Sequence, residues 1–378
     1  MKRRSLLGLA AALPAPWARA QKPPAPPGKG GPLVLGQSAP FSGPAAQLGV
    51  QLNRGARLCF DQVNEKGGIG GQKIELRSLD DGYDPARCKA NTERFLADDV
   101  FALFGYVGTP TCLAALPLLK DGRMPFFAPF TGAMALREPL ARNIFHVRAS
   151  YDDETALIVR QLANLGLKRI AVFRQNDSYG QAGLEGVEKA LGRLSMAPVA
   201  VATVERNSID VAAAVKAIVP LQPDAVVQIS AYKSCAAFIR EARKAGYGGT
   251  FYNVSFVGTK ALADELGRDA LGVVVSQVMP FPYSSTVGIV RDYLDAVHAA
   301  GADVQPNYSG LEGYVDARVF VDGLRKARNI TRDGLIAGLE GLQHQDYGGF
   351  ALNLGPKEHV ASRFVELTML TADGGLKR

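Results

Sequence analysis

The residue types that most often catalyse reactions or bind metals are sparse in this sequence. No serine lies in a Gly-x-Ser-x-Gly turn, and no cysteine pair has a spacing that would hold zinc. Carboxylate pairs at 80–81, 98–99 and 152–153 follow a strand or lie at helix ends, where capping and solvation explain them. We therefore expect no metal, no cofactor and no enzymatic activity; a secreted hydrolase is the alternative, testable by a turnover screen on esters and amides. The four histidines lie far apart and form no metal-ligand pair: His146, His298, His344 and His359.

Hydroxyl and glycine residues cluster instead in two turns that follow consecutive predicted strands. The turn 105–111 precedes a predicted helix, and the turn 129–133 follows the next strand. In an open α/β sheet, ligands bind beyond the carboxyl ends of the strands. The hydroxyls of Thr109 and Thr131, with nearby backbone N–H groups, would converge there on a place that suits a carboxylate. Plain helix capping by each threonine is the alternative explanation.

The elements that would position these turns follow an alternating pattern. Short apolar or β-branched runs alternate with amphipathic helical patterns, which predicts an α/β fold with parallel sheets covered by helices. The chain has 378 residues, too many for one ordinary domain, so we expect two lobes. The predicted strands lie at 33–35, 73–79, 101–104, 125–128, 169–173, 224–229, 250–254 and 272–278.

The amino terminus has the layout of an export signal. Basic residues at 2–4 precede an apolar run at 6–13 and a small-residue exit, so we expect cleavage near Ala20 and a periplasmic protein. Twin-arginine and ordinary export both fit. The Pro/Gly-rich stretch 21–32 predicts an extended tether. Removing residues 1–20 would lower the net charge from +7 to +3, which gives no reason to expect nucleic acid or an anionic membrane as a partner.

Four cysteines remain in the predicted mature chain, and two of them lie in neighbouring predicted helices. In an oxidising compartment Cys59 and Cys88 would either form one disulfide or remain buried free thiols. The sequence leaves both outcomes open.

An ordered set of motifs resembles the branched-chain amino-acid-binding family of bacterial ABC importers. The likeness covers nearly the whole predicted mature chain, and its motifs lie at 37–44, 64–71, 80–81, 129–133, 176–180 and 254–258. The resemblance implies the type I periplasmic-binding-protein fold, which has two Rossmann-like lobes joined by three crossovers. It implies crossovers near 148–153, near 278–282 and between 347 and 365. The lobes would then comprise 33–149 with 281–350, and 150–280 with 351–378.

The resemblance also implies a set of ligand-binding positions. Thr109 would bind the ligand carboxylate, and residues 130–132 would form the companion loop. An apolar side chain at 48 would line the pocket, and two tyrosines of the second lobe would contact the ligand with a flat face and a hydroxyl. The residues are Leu48, Thr109, Phe130, Thr131, Gly132, Tyr179 and Tyr232.

One matched position departs from the family pattern. Ser255 falls where amino-acid-binding relatives carry an acidic residue that neutralises the ligand's α-ammonium group. A buried ammonium group without a counter-charge is strongly disfavoured. We therefore predict a ligand with a carboxylate and an aliphatic or aromatic body, and without a free α-amino group.

The resulting expectation is a monomeric periplasmic solute-binding protein that delivers a small molecule to an ABC-type permease. The alternative is a periplasmic receptor that senses the ligand and signals through a separate membrane partner.

Overall fold

The computed structural model describes residues 30–120 and 122–378. The predicted export signal at 1–20 and nearly all of the predicted tether at 21–32 lie outside the described residues. The strands are β1 Leu33–Ala39, β2 Ile74–Asp80, β3 Ala102–Phe104, β4 Phe126–Phe127, β5 Ile144–Phe145, β6 Ile170–Gln175, β7 Ala200–Val204, β8 Ala225–Ile229, β9 Thr250–Asn253, β10 Val274–Gln277, β11 Gln345–Asp346, β12 Ala351–Leu352, β13 Glu366–Leu370 and β14 Leu376–Lys377. The helices are α1 Ala46–Glu65, α2 Pro85–Ala97, α3 Thr109–Ala115, α4 Tyr151–Asn164, α5 Ser178–Gly192, α6 Ala212–Ile218, α7 Tyr232–Lys244, α8 Thr259–Leu266, α9 Gly288–Ala300, α10 Tyr308–Lys326 and α11 Arg332–Glu340.

The first lobe is built on a five-stranded sheet with the order β2-β1-β3-β4-β5. All its strand pairs are parallel. Strands β2 and β3 lie on opposite sides of β1, so the connection from β1 to β2 and the one from β2 to β3 run across the sheet in opposite directions. Because both crossovers are right-handed, α1 and α2 lie on opposite faces of the sheet. The strand order reverses between β1 and β3, so their carboxyl ends flank a crevice in which α/β proteins bind ligands.

The second lobe repeats this plan with a seven-stranded sheet of order β14-β13-β10-β9-β8-β6-β7. Strands β6 to β10 pair in parallel, whereas β13 and β14 are antiparallel additions at one edge. Its strand order reverses between β6 and β8, which places a second crevice at their carboxyl ends. The two largely parallel sheets confirm the predicted α/β class and the two-lobe organisation.

Three segments connect the lobes. The first runs from β5 into α4, and the second runs from β10 into α9. The third connection follows the segment from Phe350 to Ala361. This segment still packs in the core of the first lobe, in the same cluster as Phe104 and Phe320. Its main chain also bonds to the first connection, where Ala361 donates to the carbonyl of His146 over 2.8 Å. The chain therefore enters the second lobe after residue 361, later than the boundary at 351 that we predicted.

All four cysteines are buried free thiols, so the disulfide considered for Cys59 and Cys88 is absent from the structure. The two residues lie on helices α1 and α2, which cover opposite faces of the first sheet. Accordingly, Cys59 packs in a cluster with Phe60 and Phe320, whereas Cys88 packs in another with Tyr106. The sheet itself separates the two sulfur atoms.

No helix among the described residues is both long and apolar enough to cross a bilayer.

Helices α1 and α10 approach so closely that glycine is required at their contact. A Cβ atom at Gly313 would lie 2.1 Å from the Leu52 carbonyl oxygen, and one at Gly55 would lie 1.8 Å from that of Gly310. We expect Gly313→Ala to lower the free energy of unfolding by about 1–3 kcal/mol or more, because the main chains of α1 and α10 would have to separate. Urea denaturation measures this change.

Gly192 in α5 provides the matched control, since a Cβ atom there meets nothing within 4 Å. Gly192→Ala should be neutral or stabilise the protein by about 0.4–1 kcal/mol. Equal effects of the two substitutions would contradict the close helix contact.

Candidate ligand-binding site

The carboxyl ends of the two sheets face each other, and side chains from both lobes meet between them. Gln175, at the end of β6, donates from Nε2 to the hydroxyl of Tyr83 over 3.2 Å. Asn207, after β7, donates from Nδ2 to the carbonyl of Gly82 over 3.1 Å. Tyr83 and Gly82 belong to the turn after β2, so these bonds join the lobes across the cleft. The structure is therefore a closed conformation.

Two threonine hydroxyls lie side by side on the first-lobe wall of this cleft. Thr109 Oγ1 and Thr131 Oγ1 are 2.7 Å apart, and both residues are buried. Thr109 begins α3 after β3, and Thr131 follows β4, so neighbouring parallel strands bring the two hydroxyls together. Thr131 Oγ1 also lies 3.4 Å from the hydroxyl of Tyr151. One of the two hydroxyls therefore donates to the other, and a carboxylate that replaced this mutual bond could accept a hydrogen bond from each.

Five aromatic rings from both lobes form one cluster, which adjoins the hydroxyl pair at Tyr151. Phe256 occupies their centre, with ring centroids 5.9 Å from Tyr83, 5.6 Å from Phe130 and 4.5 Å from Tyr179. Tyr151 adds a contact to Tyr179 at 5.4 Å. All five rings are buried. A ligand body between the lobes would therefore meet flat apolar surfaces on several sides.

The structure brings the remaining predicted residues to the same cleft. Leu48 lies in the first turn of α1 and contacts Gly258 of the second lobe. A Cβ atom added at Gly258 would lie 2.5 Å from Cδ2 of Leu48. Tyr232 begins α7, and its hydroxyl contacts the main chain of Gln47 across the cleft; burial raises the pKa of this phenol. The hydroxyl of Tyr179 is buried and has no hydrogen-bond partner among the described residues.

Gly132 has a structural role in addition to its place on the loop. Its carbonyl accepts a hydrogen bond from the N–H of Tyr151 over 2.8 Å. A Cβ atom at Gly132 would lie 2.5 Å from the Tyr151 ring and 2.6 Å from its nitrogen. Any side chain at this position would push α4 away from the loop that carries Thr131.

A buried cluster of charges adjoins the site at the first connection between the lobes. The guanidinium of Arg148 hydrogen-bonds Ser255 and lies 3.5 Å from Glu154 and 3.4 Å from Glu312. It also sits 4.6 Å above the ring of Phe130. Glu154 and Ser255 come from the second lobe, whereas Glu312 comes from α10 of the first. One arginine thus binds both lobes in the closed conformation.

The carboxylates of this cluster have perturbed pKa values. Burial raises the pKa of Glu312 to about 7, although the positive charge of Arg148 opposes the shift. Burial also raises the pKa of Glu154, and that of Asp316 lies well above its ordinary value because of burial and the nearby Glu312. At neutral pH the cluster therefore retains protons that exposed carboxyl groups would have lost.

Ser255 contacts this cluster directly, and both its N–H and its hydroxyl hydrogen-bond residues of the cluster. Its N–H donates to Glu154 Oε2 over 2.7 Å, and its hydroxyl donates to Oε1 over 3.0 Å. Ser276 donates a further hydrogen bond to Glu154 Oε2 over 2.6 Å. The carboxylate of Glu154 is thus saturated by serine hydroxyls, a backbone N–H and the Arg148 guanidinium.

Sequence reasoning missed the charge cluster and three of the five rings. Tyr83 follows the motif at 80–81 and Phe256 lies within the motif at 254–258, whereas Arg148 and Tyr151 lie within the predicted crossover at 148–153 and Glu154 follows it. A usable signal was present in α10, where Glu312 and Asp316 stand four residues apart in a run of small and apolar residues. Carboxylates on an otherwise apolar helix face indicate a buried charge cluster.

No group of three or more His, Cys, Asp or Glu residues in the described part of the chain has a geometry that could hold a metal ion.

Comparisons with known proteins identify several relatives. A family model described as "Periplasmic binding protein" matches residues 32–375. The Leu/Ile/Val-binding protein homolog 7 of Brucella melitensis is 24% identical over 316 residues, which cover 78% of this chain and 77% of that protein. A crystal structure of a possible leucine/isoleucine/valine-binding protein from Rhodopirellula baltica superposes with a TM-score of 0.88 and 36% identity, covering 93% of this chain and 97% of the other. A substrate-binding periplasmic protein from Ralstonia solanacearum gives a TM-score of 0.85 and 30% identity, with 91% and 99% coverage.

Proposed function

The chain belongs to the periplasmic binding protein family, and we propose that it is the solute-binding component of an ABC-type importer. This membership confirms the resemblance inferred from the sequence and covers almost the whole described chain. We propose that the protein acts as a monomer in the periplasm, closes over one small molecule and presents it to a membrane permease. The ligand is a carboxylic acid with an aliphatic or aromatic body and no free α-amino group.

The observation that carries this proposal is the buried hydroxyl pair of Thr109 and Thr131. The two hydroxyls lie 2.7 Å apart on neighbouring strands and hydrogen-bond each other, and a carboxylate that replaces this mutual bond can accept from both. Hydrogen bonds to a charged group contribute roughly 1.5–3 kcal/mol each, which makes the pair a sufficient anchor for a small acid. The aromatic rings that adjoin the pair provide the apolar surface for the rest of the molecule.

The surroundings of Ser255 support the absence of an α-amino group. A ligand ammonium group placed there would meet the guanidinium of Arg148, which already hydrogen-bonds the serine. The nearby carboxylate of Glu154 has committed its oxygens to Ser255 and Ser276. An ammonium group would therefore be desolvated beside a fixed positive charge and without a free counter-charge.

Calorimetry with matched ligand pairs tests the ligand class. 4-Methylpentanoate differs from leucine, and 3-phenylpropanoate from phenylalanine, only by the α-amino group. We expect at least one acid to bind in the micromolar range, near −8 kcal/mol, and its amino-acid counterpart to bind at least tenfold more weakly. Tight binding of leucine together with no binding of either acid would overturn the proposal.

Thr109→Val tests the anchor, because valine keeps the shape and removes the hydroxyl. We expect about a tenfold loss of affinity for the acid that binds, since one charge-assisted hydrogen bond is lost. Thr92→Val is the matched control: its hydroxyl bonds to Cys88 and Tyr106 inside the first lobe, away from the cleft. This control should lower stability and leave affinity unchanged. Unchanged affinity in Thr109→Val would show that the carboxylate binds elsewhere.

A further inference from the structure

Three buried polar atoms on the second-lobe wall of the cleft have no hydrogen-bond partner among the described residues. They are the hydroxyl of Tyr179, the hydroxyl of Ser230 and Oε1 of Gln175. All three residues are fully buried. Leaving such an atom unpaired costs roughly 1–3 kcal/mol, so a place with three of them favours a ligand that can pair with them.

The three residues occupy one region at the carboxyl ends of β6 and β8. Gln175 ends β6, Tyr179 lies in the first turn of α5, and Ser230 directly follows β8. Helix α5 packs onto the end of β8, where a Cβ atom at Gly183 would lie 2.5 Å from the Ile229 side chain. Cys235 lies close to both Ser230 and Tyr179. Its thiol donates to the carbonyl of Ser230 over 3.4 Å, and its sulfur is near enough to the Tyr179 hydroxyl to affect the pKa of that phenol.

The hydrogen-bonding roles of these atoms can be assigned. Both protons of the Gln175 amide are used, since Nε2 donates to Asp177 Oδ2 over 2.6 Å and to Tyr83 over 3.2 Å. The free atom of Gln175 is therefore an oxygen that can only accept. The hydroxyls of Tyr179 and Ser230 can each donate or accept. A ligand group that both donates and accepts fits this set.

Asp177, the carboxylate beside these atoms, already has partners within the protein. Asp177 accepts hydrogen bonds from Gln175 and from the N–H of Tyr179, and it lies 3.4 Å from Arg206. An ammonium group would lack a free carboxylate, and a second carboxylate would face the acceptor oxygen of Gln175. A neutral hydroxyl donates to Gln175 and accepts from Tyr179 or Ser230.

The path from this region to the hydroxyl pair is lined with aromatic rings. Thr131 lies 3.4 Å from the Tyr151 hydroxyl, and the Tyr151 ring lies 5.4 Å from that of Tyr179. Phe256 and Tyr83 complete the enclosure. Flat rings on several sides favour a planar ligand body, which stacks or packs edge-to-face.

We propose that the ligand is a hydroxylated aromatic acid. Its carboxylate binds Thr109 and Thr131, its ring packs among the five aromatic side chains, and its distal hydroxyl binds Gln175, Tyr179 and Ser230. This inference rests on the proposed function and adds the ring and the hydroxyl to it.

Calorimetry on the full chain without its export signal tests the inference. The probes are 4-hydroxybenzoate and 3-(4-hydroxyphenyl)propanoate, each beside its deoxy and its 4-methoxy analogue, with cyclohexanecarboxylate and hexanoate as non-aromatic acids. We expect one hydroxylated acid to bind at least tenfold more tightly than its deoxy and methoxy analogues, and more tightly than both non-aromatic acids.

Tyr179→Phe separates recognition of the hydroxyl from general packing. We expect it to weaken binding of the hydroxylated acid about tenfold more than binding of the deoxy analogue. Tyr293→Phe is the control, because its hydroxyl contacts Asn307 in the first lobe, away from the cleft. It should leave the ratio of the two affinities as in the wild type.

The outcomes distinguish this inference from the proposed function. Equal affinity for hydroxylated and deoxy acids, tighter binding of a non-aromatic acid, or an equal effect of Tyr179→Phe on both analogues would overturn the inference and leave the carboxylate site intact. Binding of leucine or phenylalanine with no binding of any acid would overturn both.

Discussion

Arg148→Leu is expected to destabilise the protein by about 3–5 kcal/mol at pH 8, because it leaves buried carboxylates without their cation. The guanidinium of Arg148 lies 3.5 Å from Glu154 and 3.4 Å from Glu312, and all three side chains are almost fully buried. Leucine fills part of the space but supplies neither charge nor donors. Urea denaturation of the variant and the wild type gives the difference in unfolding free energy.

The loss should depend on pH in a defined direction. A carboxyl group whose pKa is higher in the folded state binds more protons when folded, so its contribution to stability is greatest at low pH. For Glu312 that contribution is lost as the pH rises from the ordinary value of 4.5 through about 7. Removal of Arg148 raises these pKa values further, since the opposing positive charge is gone. The destabilisation should therefore be smaller at pH 5 than at pH 8.

An exposed ion pair provides the control for this prediction. Arg142 lies 2.9 Å from Asp333 at the surface, and both side chains are more than half exposed. Arg142→Leu should change stability by no more than about 1 kcal/mol at either pH. A similar small effect of Arg148→Leu, or a loss that is larger at pH 5, would contradict the role assigned to the buried cluster.

The parts of the site that the sequence predicted are those determined by neighbouring residues. Thr109 and Thr131 each follow a short apolar run that reads as a strand, and parallel strands place their carboxyl ends at one edge of the sheet. The hydroxyl pair could therefore be anticipated without knowing how the lobes meet. The same local logic predicted the α/β class and most of the strands.

The parts that the sequence did not predict depend on contacts between distant segments. Phe256 meets Tyr83 and Phe130 only because the lobes close on each other, and no local pattern encodes that contact. Arg148, Glu154 and Glu312 come from three separate elements, so each reads alone as an ordinary charged residue. The antiparallel strands β13 and β14 were missed for a similar reason, because each is stabilised by its pairing at the sheet edge.

The loop that carries Thr131 is held by a second buried arginine. Arg137 donates from Nη1 to the carbonyls of Thr131 over 3.2 Å and Ala133 over 3.0 Å. From Nη2 it donates to the carbonyls of Arg148 over 3.2 Å and Ala149 over 3.4 Å. A single planar guanidinium thus ties the loop that carries Thr131 to the first connection between the lobes. Its fork geometry allows one side chain to serve four acceptors.

Arg137→Leu should therefore reduce both stability and affinity. Four carbonyls of buried residues lose a charged donor, and each one left unpaired costs roughly 1–3 kcal/mol. Part of this cost is offset, because the variant no longer buries the charge of the Arg137 guanidinium. We therefore expect a net loss of at least about 3 kcal/mol in unfolding free energy. Because Thr131 also loses its support, affinity for the acid that binds best should fall at least tenfold. Urea denaturation and calorimetry measure the two effects.

Two comparisons show whether the buried location of Arg137 is responsible. Arg243 also donates to main-chain carbonyls, those of Asp269 and Leu271, but at the surface. Arg243→Leu should cost no more than about 1.5 kcal/mol, because water can replace the lost donors. Arg137→Lys keeps the charge but cannot reach four acceptors, so its effects should lie between those of the wild type and Arg137→Leu. If Arg137→Lys behaved like the wild type, the charge alone would hold the loop, and the fork geometry of the guanidinium would be irrelevant to the ligand site.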